Sequence, residues 1–149
     1  RPNALMLGYP VITSGPLAHR GSFDCLLGDN STNQMALDAV SIERHIDAKM
    51  PPVFVWHTVT DDCVPYENTL MLVDACKKAG VSVEAHLFPS GGHGLSLGTA
   101  ETAWQGVNGI EPCVQVWPKL AIAWMRRTFA ATDATAAMTG SATTVAIAE

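Results

Sequence analysis

A chain of 149 residues, 48% hydrophobic and 15% charged, can bury one core of ordinary size and is too apolar to be disordered. Its net charge of -5 comes without a basic stripe, since Arg126 and Arg127 are the only adjacent arginines and Lys77 and Lys78 the only adjacent lysines, so nucleic acid is excluded as an expected partner. No apolar run approaches the ~20 residues of a membrane helix, and "RPNALMLGYP" lacks the order of a signal peptide; the expectation is a soluble chain with no membrane partner, the cytoplasm being favoured over secretion.

In chain order, "ALMLGYPVI" is a short apolar segment broken by Gly8 and Pro10, as suits a strand buried on both faces. Residues 13–33 read as a long connection bearing Gly, Ser and Asn. "TNQMALDAVSIERHI" follows with weaker helical spacing, and Ser41 as the cap of a second short turn. "PPVFVWHT" is the clearest strand, because two prolines stop what precedes Val53, Phe54, Val55 and Trp56. After the loop "VTDDCV", Pro65 fits the first position of a helix. Leu70, Val73 and Cys76 recur there at helical spacing, and Lys77, Lys78 and Gly80 end it. "VSVEAHLFP" reads as a third strand. An irregular stretch around Gly106 and Pro112 leads to "VQVWPKLAIAWMRRTF", a helix with Pro118 in its first turn and an apolar face of Leu120, Ala121, Trp124 and Met125. Alternating strands and helices predict an α/β fold with a parallel sheet and right-handed crossovers. The Ala- and Thr-rich residues 130–149 read as a mobile tail.

In such sheets ligands bind beyond the carboxyl ends of the strands, so the loops after Thr58 and Phe88 belong on one rim. One carries Asp61 and Asp62; the other, "FPSGGHGLS", carries His93 between glycines. A carboxylate that fixes an imidazole tautomer and steadies its cation forms two members of a nucleophile, base and acid system. Each piece alone is ordinary, Asp-Asp as turn chemistry and His93 as a solvated side chain; the combination of strand, "TDDCVP", helix, strand and "GGHG" is what makes the signal specific.

Together with "LMLGYPVI" and "HRGSFDCLLGDN", those segments resemble the C-terminal half of an α/β-hydrolase. The likeness is to small bacterial esterases and acetyl esterases related to dienelactone hydrolases and prolyl oligopeptidase-type peptidases. It covers residues 1–129, about three strands with flanking helices. The resemblance implies that Asp61, the first residue of a D-x-x-V-P signature ending at Pro65, is the catalytic acid rather than Asp62, and that His93 is the catalytic base. It implies no cofactor and no metal. The expected substrate is a small-molecule or carbohydrate ester, cleaved by a short-chain acyl or acetyl esterase. The alternatives are a peptidase or dienelactone-type hydrolase, or an incomplete half-domain that acts by associating with a partner chain.

The family's G-x-S-x-G elbow stands between a strand and a helix and ahead of the acid; the one such string here, Gly94 to Gly98 around Ser96, instead follows His93 within its own loop. Ser22 has glycine on one side only, Ser90 shares the loop of His93, and Ser141 belongs to the tail. The chain begins at Arg1, and the resemblance places that point just after the elbow helix. The serine is therefore expected outside this chain. A missing N-terminal half, or a second copy, is expected to cover the edge of the Leu5 strand. His57, at the end of its strand, could face the site but is expected to be packed or bonded to backbone, His19 with Arg20 to be structural or a lid contact, and Trp104, Trp117 and Trp124 to pack, with Trp104 as a secondary substrate candidate. Cys25, Cys63, Cys76 and Cys113 form no CxxC pair and read as buried free thiols, with two disulfides left open. No two histidines stand at metal-ligand spacing.

Overall fold

The computed structural model describes residues 2–104 and 108–140. Three strands, β1 (Leu5–Gly8), β2 (Val53–Thr58) and β3 (Val83–Phe88), form one parallel sheet in the order β1-β2-β3. Among the described residues four α-helices accompany it: α1 (Arg20–Leu27), α2 (Gln34–Ala39), α3 (Glu67–Ala79) and α4 (Trp117–Gly140). The final helix thus runs beyond residue 129, while Gly106 and residues 141–149, with Ser141, lie outside the described residues. No helix among the described residues is long and apolar enough to cross a membrane.

Every residue of β2 is buried, and the alternation of a strand sends its side chains to two separate cores. Phe54 and Trp56 pack with Phe88, Leu95, Val114 and the α4 residues Ala121 and Trp124. Val53 and Val55 point the other way, into Ile12, Val81 and the α3 residues Leu72 and Cys76. The expected α4 face is the observed one, for Leu120 and Met125 pad the first cluster. The expected α3 face is rotated. Thr69, Leu72 and Cys76 are buried, whereas Leu70 is exposed.

Four other local expectations change. Residues 13–33 contain the helix α1, whose single buried residue, Phe23, is too little for an apolar stripe to be read. Pro65 stands before α3, in a tight entry turn where its carbonyl accepts from the Asn68 amide; Gly80 does end that helix, at φ 71. Ser41 opens a short 3-10 turn, but its hydroxyl donates to Glu43 and accepts from the Ser14 amide instead of capping. Only Cys76 of the four free thiols is buried; Cys25 and Cys63 are exposed.

β1 is less enclosed than its sequence suggests. It is an edge of the described sheet, and Met6 is 40% exposed. Its connection to α3 is made by Asn68, fully buried, whose Oδ1 accepts from the amides of Ile12 (2.9 Å) and Thr13 (3.0 Å) while Nδ2 donates to the carbonyls of Leu17 and Pro65. All four hydrogen-bonding positions of that amide are filled, which locks the chain leaving β1 onto the helix.

Candidate active site

The loop after β2 fixes its acid locally. Asp61 accepts at Oδ1 from the amides of Cys63 and Val64, both at 2.9 Å, an Asx turn that a short carboxylate makes with its own chain. The Asp61 side chain has no solvent exposure. Burial works to raise its pKa, but the Val64 amide, the hydrogen bond to His93 and the Cys63 amide outweigh it, so the carboxyl stays below the usual aspartate value.

The loop after β3 is shaped by glycine. Gly91 has φ 129, and a Cβ there would lie 2.5 Å from Leu95 Cδ1; Gly94 has φ 77. Both conformations penalise an L side chain. Two threonines of the first loop then tie the second to it. The Thr60 hydroxyl accepts from the Gly91 amide at 2.9 Å and donates to its carbonyl at 3.2 Å, and Thr58 Oγ1 donates to the same carbonyl at 2.9 Å.

The two expected residues consequently meet. His93 Nδ1 lies 2.9 Å from Asp61 Oδ2. Because the acid is an acceptor only, Nδ1 carries the proton and Nε2 keeps its lone pair, so a neutral His93 presents a base at Nε2. Its side chain is 32% exposed. Asp62 does not share this bond; its Oδ1 lies beside Gly92. A concavity of about 420 Å³ lined by Val40, Ile42, Ile46 and Met50 lies elsewhere and includes neither Asp61 nor His93.

Three neighbours of this pair were not among the expected site residues. Tyr9, with φ 40, places its ring 4.8 Å from the His93 ring, and its hydroxyl accepts from the Ser96 amide at 3.3 Å. Trp117 stacks on Trp56 and donates from Nε1 to the Ser96 carbonyl at 2.7 Å, so this packing residue also clamps the histidine loop. His57 is packed and bonded to the Val64 carbonyl as expected, yet its Nε2 also lies 3.1 Å from Asp61 Oδ2. The alternation of β2 was the available signal: His57 shares a face with Val53 and Val55, toward α3.

The discounted residues have other attachments. His19 Nδ1 and Ser22 Oγ bond each other at 2.9 Å, Arg20 donates to the Ser31 carbonyl, and Ser90 Oγ lies 3.6 Å from Cys113 Sγ. Trp104 is 45% exposed and its backbone pairs with Asn108.

Comparison with known proteins agrees with this architecture. The profile of the prolyl oligopeptidase family matches residues 4–106. Endo-1,4-beta-xylanase B of Butyrivibrio fibrisolvens is 36% identical over 108 residues, 71% of this chain and 17% of the xylanase. Among solved structures, an acetyl ester-xyloside bifunctional hydrolase from Caldicellulosiruptor lactoaceticus superposes with a TM-score of 0.73 at 38% identity, over 85% of this chain and 43% of that one. A carboxylesterase from Lactobacillus plantarum gives 0.69 at 32%, over 85% and 45%. A sugar hydrolase from Lactococcus lactis gives 0.71 at 32%, over 87% and 49%. The chain therefore spans less than half the length of these relatives, and its sheet is the matching part of an α/β-hydrolase fold.

Proposed function

Since the chain belongs to the prolyl oligopeptidase family, we propose that it supplies the acid and base of a serine-type carboxylic ester hydrolase. The observation that carries this reading is the 2.9 Å bond from His93 Nδ1 to a fully buried Asp61 carboxylate. The serine belongs to the part of the relatives that these residues do not span.

In the reaction, a serine hydroxyl gives its proton to His93 Nε2 as its oxygen bonds the ester carbonyl carbon. The imidazolium, steadied by Asp61, returns that proton to the departing alkoxide, leaving an acyl-enzyme. Water then repeats the sequence and releases the acid. Relatives named for an acetyl ester-xyloside activity, a sugar hydrolase and a xylanase support short acyl groups, acetyl above all, on carbohydrate alcohols. Those names favour ester over peptide cleavage.

In the full-length polypeptide, His93→Ala should abolish turnover of p-nitrophenyl acetate. Asp61→Asn should reduce kcat by about 10⁴-fold, as expected when a base is held in the wrong tautomer, and Asp62→Asn should leave the rate within about threefold, as for a surface change. Equal losses from the two aspartate changes would reject Asp61 as the acid.

β1 favours one addition. Its edge position and the exposed Met6 suit pairing with a further strand, from the segment that holds the serine or from a second copy of the chain. Sedimentation of the 149-residue chain as a dimer would favour the second copy. Covalent labelling of that same chain by a fluorophosphonate would instead reveal a nucleophile within it and overturn the division of roles.

A further inference from the structure

The interior behind Asp61 holds a second histidine that the proposed reaction does not use. His57 has no exposed surface, and its three neighbours fix its protons by elimination. Nε2 faces two acceptors, the Val64 carbonyl at 3.0 Å and Asp61 Oδ2 at 3.1 Å, so Nε2 carries hydrogen. Nδ1 faces Thr69 Oγ1 at 2.8 Å, a hydroxyl able to donate to a bare nitrogen. The neutral Nε2–H tautomer satisfies all of these contacts at once, whereas a second proton would place a cation in a fully enclosed site. The ionisable groups facing His57 are Asp61 and His93.

We infer that His57 is a positioning residue: a permanently neutral donor that, primed by Thr69, holds the Asp61 carboxylate from behind so that His93 is bound at a fixed angle. This inference rests on Asp61 being the carboxylate that serves His93. The donor order runs from the Thr69 hydroxyl to His57, and from His57 to Asp61, where His93 arrives from the other side. With both Oδ1 bonds from the adjacent amides, Asp61 then receives four donors, two on each oxygen. The adjacent amides fix the carboxylate from its own loop; His57 ties it to β2 and, through Thr69, to α3. No proton need move along this chain during catalysis. Its contribution is to remove freedom from the group that orients the base.

Two measurements on the intact protein test this. Long-range ¹H–¹⁵N spectra should show His57 as the Nε2–H tautomer, unchanged between about pH 5 and 8. A proton on Nδ1 of His57, or its titration in that range, would overturn the inference whether or not esterase activity is found. In the second measurement, His57→Phe keeps the ring and loses the donor, and His57→Gln keeps an amide N–H at the reach of Nε2. His57→Phe should lower kcat for p-nitrophenyl acetate at least about tenfold with KM within about twofold, and His57→Gln should recover to within about threefold of the parent, the pattern of a lost orienting interaction. A His57→Phe enzyme with parental kcat, or a folded His57→Gln enzyme as impaired as His57→Phe, would defeat it. Should His57→Phe fail to fold, the spectra of the parent still decide. An intact protein without esterase activity, but with the expected spectra, would count against the proposed function and leave the positioning of Asp61 by His57 standing.

Discussion

The two rim loops reach the same point by different means. The acid loop is largely self-contained: within four residues Asp61 bonds two of its own amides. The histidine loop is held from outside, by Thr58 and Thr60 at Gly91, by Tyr9 and Trp117 at Ser96, and by the positive φ of Gly91, Gly94 and Ser96. An acid that must be buried and ionised benefits from donors that form with the turn itself. A base that must stay partly open cannot be buried for support and takes it from neighbouring elements instead.

That contrast can be tested from its strongest point downward. Gly91→Ala forces a methyl to within 2.5 Å of Leu95 at a φ of 129 and should cost about 3 kcal/mol in chemical denaturation, as overpacking and backbone strain combine. A loss under about 1 kcal/mol would show the histidine loop to be less constrained than its neighbours imply.

Acid should act on the other loop. The largest influence on His57 is burial, which holds it below the ordinary 6.5 despite the opposing bonds from Val64 and Asp61. A base with a depressed folded pKa is protonated first in the unfolded chain, so stability should fall as pH drops below about 6.5, by at most about 1.4 kcal/mol per pH unit. Asp61 has the opposite charge type but the same slope: its stabilisation is complete above the unfolded value of 3.8 and is lost as pH falls through the lower folded value. Equilibrium unfolding between pH 7 and 3 should therefore show two descending steps, and His57→Phe should flatten the upper one.

Thr60→Val removes the donor and acceptor that join the loops. Because the threonine is exposed, the expected loss is only about 1 kcal/mol, accompanied by a fall in kcat. Tyr9→Phe deletes one long, exposed bond to Ser96 while keeping the ring against His93, and should change thermal stability by about 0.5 kcal/mol, the least of the series.

How far the chain itself announces this arrangement differs from residue to residue. Val53 to Trp56 declare a buried strand because four apolar residues follow two prolines, and the Lys77, Lys78, Gly80 ending announces where α3 stops. The Asp61–Asp62 pair and His93 were legible because their chemistry is paired with strand ends and glycine-bearing loops, and the family resemblance chose Asp61 between the two. α1 was not, since one buried phenylalanine makes no stripe, and Leu70 misled because helical spacing gives a period without its phase. His57, Tyr9 and Trp117 have no motif of their own.

The sequence by itself determined the alternation of strand and helix, the local turn that holds the acid and the loop that can expose the base. These depend on propensities and on contacts a few residues long. Only the tertiary structure decided that a strand histidine would stand behind the acid, and that a tyrosine after β1 would stand against the base. Those encounters join residues tens of positions apart, and they follow from which face each side chain turns to when the sheet and its helices pack.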